Sequence, residues 1–205
     1  MSRSKLLDDL RARIKECRRC SLWKGRTNAV PGDGNPEAEI MFIGEAPGYH
    51  EDLQGKPFVG AAGKLLTELI RSIGLEREEV YITNVVKCRP PGNRDPKPEE
   101  IASCSPYLDE EILIIKPRII VTLGRHSTGY ILAKGGIRAR AISKVRGRAF
   151  ELDMLGLHVI VFPTYHPAAA LYNPRLKAVL VKDFEAISKL LNKTLKRRIS
   201  LDQFF

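Results

Sequence analysis

The sequence predicts a single α/β domain whose central four-stranded, mainly parallel sheet is flanked by helices. Two observations carry that reading. Four short apolar runs, at residues 39–43, 80–86, 118–123 and 157–162, have the length of buried strands. Segments with helical spacing of apolar residues separate them, and strands that alternate with helices pair in parallel. At 205 residues and 43% apolar content the chain is long enough for one real core.

The elements follow in order. Residues 4–15 read as a helix with Leu6, Leu7, Leu10 and Ile14 on one side. The first strand, Ile40-Met41-Phe42-Ile43, stops in Gly44-Glu45-Ala46-Pro47-Gly48, too turn-rich to continue a sheet. Helical patterns cover residues 63–73, 98–115 and 125–133. A closing helix over 183–195 sets Phe184, Ile187, Leu190, Leu191 and Leu195 at helical spacing. Residues 1–197 form the expected domain and 198–205 a separate tail. No stretch approaches the ~18 uninterrupted apolar residues of a membrane helix, and the charged N-terminus lacks a secretory apolar core. These features predict an intracellular, cytoplasmic protein with no membrane partner.

In open α/β sheets, ligands bind beyond the carboxyl ends of the strands. Glu45 follows the first strand, Asn84 lies near the end of the second, Gly124-Arg125-His126 follows the third, and Tyr165-His166-Pro167 the fourth. These distant groups are expected to converge on one rim. The stretch after the first strand adds an acidic pair (Glu51, Asp52) and an exposed-looking Phe58 among glycines. Carboxylates, an aromatic face and close-approach glycines suit a flat polar ligand. Gly63-Lys64 does not make a phosphate-binding loop. Phe58 stands at the first required glycine, and Leu65 replaces the Ser/Thr. His126 and His158 are expected to be incidental.

Thirty-four Lys and Arg against 24 Asp and Glu give a net charge of +10, which favours a polyanionic partner or reflects a solvated lysine-rich surface. Between Gly135 and Phe150 lie Arg138, Arg140, Lys144, Arg146 and Arg148 with no acid, a candidate phosphate-contacting segment. A second basic cluster, from Lys189 to Arg198, reads as the wet face of the last helix.

Cys17-x2-Cys20 closes the first helix, Cys88 follows the second strand, and Cys104 comes later. An intracellular CxxC with two further cysteines reads as a four-thiolate metal site that ties the first helix to the loop after the second strand. Spacing alone leaves zinc and an iron–sulfur cluster both open, with disulfides or free thiols as the lesser alternative.

Taken together, GEAPG, the downstream Glu51-Asp52, GKPFVG, the four cysteines, Cys88-Arg-Pro-Pro-Gly-Asn93-Arg94 and His166-Pro-Ala-Ala closely resemble the family 4 uracil-DNA glycosylases. These are iron–sulfur repair enzymes of bacteria and archaea, and the likeness runs from about Cys17 to Leu191. The resemblance implies a uracil-DNA glycosylase-like fold and a [4Fe–4S] cluster on Cys17, Cys20, Cys88 and Cys104. It implies a monomeric, nucleoid-associated, monofunctional hydrolase that releases uracil from single- or double-stranded DNA in base excision repair and leaves an abasic site.

Gly44, Glu45 and Ala46 would border the uracil and the attacking water, and Phe58 would stack on the everted base. Asn84 would read the uracil edge, and His166 would face O2. Asn93 and Glu51 would support the site, with Glu45, His166 and Asn93 as the catalytic set. Arg94, Arg146, Arg148, Pro167, Ala168 and Leu171 would contact DNA, Leu171 as a wedge.

The better-known uracil glycosylases carry GQDPYH, with aspartate where this chain has Ala46 and tyrosine where it has Gly48. Water activation must therefore fall elsewhere, with Glu45 as the candidate, and Glu51 is the candidate for excluding thymine. The rival readings are a non-catalytic metal-cluster DNA-binding protein and a related glycosylase for other deaminated bases. The tail, with Leu201, Phe204 and Phe205, resembles a sliding-clamp-binding box, although Arg198 stands where that box has glutamine.

Overall fold

The computed structural model describes residues 1–139 and 141–202, with side chains described as far as residue 194 along the last helix. Its core is a six-stranded sheet in the order β1-β3-β2-β4-β6-β5. The four expected runs are the inner strands β2 (Ile40–Gly44), β3 (Tyr81–Asn84), β4 (Ile119–Leu123) and β6 (Leu157–Thr164). All four are parallel.

The expected count of four strands is corrected by two antiparallel edges, β1 (Asp33–Gly34) beside β3 and β5 (Phe150–Met154) beside β6. β1 is too short to show a period. β5 alternates charged, outward Glu151 and Asp153 with buried Leu152 and Met154. Its hairpin turns on Leu155-Gly156, both with positive φ (53° and 74°) as a two-residue primed turn requires. Leucine at the first position hides that turn from a sequence reading.

Helices cover both faces because the inner strands are apolar on both. Met41, Ile43, Tyr81 and Ile120 pack against α1 (Arg3–Lys15), α4 (Pro98–Ile115) and α5 (Arg125–Lys134). Ile40, Phe42, Ile82 and Val121 face α3 (Ala61–Ser72) and α8 (Arg175–Asp202). Phe42 stacks on Phe184 at 5.8 Å. Each such large apolar side chain, fully buried, contributes about 1.5–3 kcal/mol.

The last helix starts eight residues before the expected 183, because Leu176 and Leu180 extend the apolar stripe backward. It runs on through Asp202, past residue 197, and Phe204 and Phe205 lie outside the described residues. Three short helices, α2 (Tyr49–Gln54), α6 (Ile142–Val145) and α7 (Pro167–Tyr172), occupy the connections. No helix among the described residues is long and apolar enough to cross a membrane.

Candidate active site at the carboxyl edge of the sheet

Because the four inner strands run parallel, their carboxyl ends share one edge, and a cleft of about 340 Å³ opens there. Glu45 and Ala46 enter it from the end of β2, Asn84 from β3 and His166 from β6. Loops supply Pro47, Gly48, Phe58, Asn93 and Arg94, while α2 brings Glu51 and α7 brings Ala168 and Tyr172. Three of the four strand ends anticipated from strand order thus meet in one cavity, while the Gly124-Arg125-His126 group after β4 is not among its lining residues.

Two glycines explain its shape. A Cβ on Gly44 would stand 2.3 Å from Asn84 Oδ1 and 2.6 Å from Phe58 Cζ, so only glycine lets those walls meet. A Cβ on Gly63 would fall 1.9 Å from the Phe58 carbonyl oxygen, so α3 can begin directly beneath that residue. Phe58 itself holds φ 53°, is only 6% exposed and stacks on His166 at 5.5 Å. The exposed-looking phenylalanine is therefore a packed wall of the cleft.

Glu51 acts as a brace. Its carboxylate accepts from the backbone N–H groups of Gly48 (3.1 Å), Val59 (2.9 Å) and Gly60 (2.8 Å), fixing both sides of the cleft loop. The neighbouring Asp52 is buried and accepts from Thr27 and Asn28, anchoring α2 to the segment after Cys20.

Asn84 is 2% exposed, and its side-chain Oδ1 has no hydrogen-bond partner among the described residues. A buried orphan acceptor at a cleft wall calls for an explanation, since such groups are normally paired. His166 precedes α7 and accepts the Ala168 N–H on Nδ1 at 3.1 Å. That bond assigns the proton of the neutral ring to Nε2. Burial lowers the imidazole to about 4, opposed by the nearby Glu51 charge, so the ring is neutral at physiological pH.

Glu45 is pushed above the ordinary carboxylate range by burial, with Asp95 adding to the shift and His126 and Arg125 opposing it. His126 Nε2 stands 3.6 Å from Glu45 and 3.5 Å from Asp95, so this histidine, expected to be incidental, borders the site. Its place after β4 on the same rim was the available signal.

The remaining expected residues are distributed more widely. Asn93 sits at φ 55° in the turn after Pro90, its Oδ1 accepting from Arg89 Nε at 2.7 Å. Arg94 lines the cleft while forming a two-point pair with Glu100 at 2.8 and 2.7 Å. That pair, more than any other cause, holds the Glu100 carboxyl down at about 2. Arg146 pairs with buried Asp183 and lies over Tyr165, while Arg148 is exposed. Pro167 is buried, Leu171 is 49% exposed and Tyr172 90% exposed. Tyr172, at the mouth of the cleft, was not singled out by the sequence reading.

On the side of the sheet covered by α1 and α4, Cys17, Cys20, Cys88 and Cys104 line one small enclosed space with Trp23 and Tyr107. None is in a disulfide. Burial raises the thiols of Cys20, Cys88 and Cys104, the last to about 12. Arg26 Nη1 donates to Cys88 Sγ and the Lys87 N–H to Cys104 Sγ, each at 3.2 Å. Among the described residues, Glu45, Asp95 and His126 form the group of three ligand atoms mutually within 4.8 Å; no three of the cysteine sulfurs do.

Comparison with known proteins matches the uracil DNA glycosylase superfamily model to residues 31–194. A type-4 uracil-DNA glycosylase of Sulfurisphaera tokodaii is 57% identical over 199 residues, 97% of this chain and 90% of the relative. The type-4 enzyme of Saccharolobus solfataricus is 56% identical over 97% of this chain and 91% of its own. That of Thermotoga maritima is 43% identical over 94% of this chain and 98% of its own. Matched over nearly its whole length, the chain belongs to the type-4 uracil-DNA glycosylases of the uracil DNA glycosylase superfamily.

Proposed function

We propose that the cleft hydrolyses the N-glycosidic bond of deoxyuridine in DNA, releasing uracil and leaving an abasic site. The observation that carries this is the orphan Oδ1 of Asn84, a buried acceptor at the cleft wall. Uracil N3–H is the donor it lacks, and the amide's other half can donate to O4. Cytosine offers no donor at N3 and a donor at C4, the opposite pattern, and buried mismatches of this kind discriminate strongly.

The base must leave the stack to reach the cleft. Phe58 and His166 give the pocket an aromatic wall, and the Nε2–H of His166 is the donor for O2, where charge gathers as the bond to C1′ breaks. Glu45, ionised, orients water and favours the positive sugar ring. No lysine is among the described residues lining the cleft, which fits hydrolysis rather than Schiff-base chemistry. Glu51 excludes thymine through the Pro47–Gly48 wall that it braces, and Asn93 supports the mouth beside Arg89. Exposed Leu171, Tyr172 and Arg148, with Ala168 and Arg94, form our proposed DNA-facing surface; buried Pro167 supports it from beneath rather than contacting DNA, and Arg146 contributes by holding its loop against Asp183. The clamp contact through Leu201, Phe204 and Phe205 is proposed on the sequence pattern alone.

The test is release of labelled uracil from a deoxyuridine oligonucleotide, beside strands carrying hypoxanthine or cytosine. We expect release from deoxyuridine and none from cytosine. Binding without release would overturn the reading in favour of a non-catalytic DNA-binding protein, and a preference for hypoxanthine in favour of a different substrate.

We further propose that the four cysteines hold a [4Fe–4S] cluster. Type-4 relatives and the gathering of all four cysteines around one small space support it, and Arg26 Nη1 and the Lys87 N–H would donate to the bound thiolates. The cluster would supply a rigid link between the end of α1, the loop after β3 and α4. Purified protein is expected to contain about four iron and four sulfide per chain. Cys104→Ser is expected to lose iron and lower Tm; one zinc per chain and no sulfide would overturn the assignment.

A further inference from the structure

Lys87 is the one fully buried lysine among the described residues, at 1% exposed, and the proposed chemistry gives it no role. Its Nζ donates to Thr83 Oγ1 (2.6 Å), the backbone carbonyl of Asn84 (2.7 Å) and Glu111 Oε2 (2.7 Å), so all three of its N–H groups are used. Glu111 is equally buried. It also accepts from the Thr83 hydroxyl at 2.8 Å and the Gly32 N–H at 2.9 Å. A buried ion pair of this kind is weak evidence for stability, because apolar residues of similar volume often serve as well. Its position gives it another use.

The network lies directly behind Asn84. The backbone between the two residues is pinned to the end of β2, with the Val85 and Val86 N–H groups donating to the Gly44 and Glu45 carbonyls at 3.0 Å each. The Asn84 carbonyl is held by the Lys87 ammonium, while its side-chain oxygen is left without a partner. Seven residues before Glu111 on α4 stands Cys104, whose sulfur accepts the Lys87 N–H.

We propose that Lys87, held by Glu111 and Thr83, is a positioning residue that fixes the Asn84 peptide and so aims its amide at the base. This rests on the reading of Asn84 as the uracil contact. An amide on a backbone free to shift by an ångström loses about 10²-fold in rate.

The test is the paired variant Lys87→Met with Glu111→Gln, which removes both charges together and keeps an acceptor for the Gly32 N–H. Iron content, Tm, affinity for a strand carrying an abasic-site analogue, inhibition by free uracil and single-turnover release are measured together. We expect iron and abasic-strand affinity to stay at parent values. Uracil inhibition should weaken, and the release rate should fall about 10²-fold. A general loosening of the fold would lower Tm and strand affinity as well and would overturn the positioning role, as would parent-like uracil affinity and rate.

Should the paired variant fail to retain iron, Thr83→Val decides. It preserves shape, the ion pair and the bond to the Asn84 carbonyl but removes one of the three acceptors that orient Nζ, and a release rate about three- to tenfold lower with parent Tm is expected. An unchanged rate overturns the proposal. Asn84→Ala measured in parallel separates the two levels. If it keeps the parent rate, the uracil contact itself is wrong. If it is inactive while the paired variant is active, only the role of Lys87 fails.

Discussion

An Asn84→Ala protein is expected to fold, keep its iron and lose uracil release by roughly 30-fold to 10⁴-fold in single-turnover kcat/KM. The range follows from two buried contacts to the base, N3–H and O4, each costing about 1–3 kcal/mol when its partner is removed. Stability should move the other way or not at all. In the free protein Oδ1 is buried without a partner, so removing it relieves an uncompensated desolvation large enough to offset the lost packing. A Tm no lower than the parent's, together with the loss of release, would identify a residue held for binding at the expense of the fold. A rate within threefold of the parent, or a large fall in Tm with it, would remove Asn84 from the site and leave the cleft without its reader.

That orphan acceptor was not legible in the sequence, although Asn84 was. An asparagine at the end of an apolar strand marks a position, and only coordinates show whether its amide is paired. The inner strands were legible because each is apolar on both faces and each is followed by a turn, so the carboxyl edge could be assembled from order alone. The short β1 and the Leu155-Gly156 hairpin were not, since neither carries the alternation or turn chemistry that marks an edge strand.

Charged residues divide in the same way. In the run from Arg138 to Arg148 the sequence shows basic charge, but the pairing of Arg146 with Asp183 spans 37 positions and is invisible without the fold. Lys87 reads as one lysine among many, and its burial depends on Glu111 arriving from α4. The cysteines were legible as one group because a CxxC with two further thiols suggests a shared site, and the fold brings all four to one small space. Their spacing alone could not choose the metal.

His166→Ala should produce the second large effect, a fall of about 10²–10³ in the single-turnover rate with little change in the affinity for substrate DNA. The asymmetry follows from where charge develops. Uracil O2 is a neutral carbonyl in the bound ground state and becomes anionic as the glycosidic bond breaks, so a fixed Nε2–H acts mainly in the transition state. With the ring lowered to about 4 by burial, this donor is neutral and unchanged across physiological pH.

The acid limb of the rate profile should therefore belong to Glu45, which must be ionised to work and whose carboxyl lies above the usual range. Activity is expected to fall as pH drops through that raised value, before His166 protonates, and Glu45→Gln should remove this limb. Stability carries the sign of the histidine. Its folded pKa lies below the unfolded value of about 6.5, so its contribution is complete above that pH and is lost as pH falls toward 4. His166→Ala should flatten that part of the Tm profile. A limb near the ordinary imidazole pKa that survives in Glu45→Gln but vanishes in His166→Ala would mean that the ring works as a titrating acid, and the fixed neutral donor would have to be abandoned.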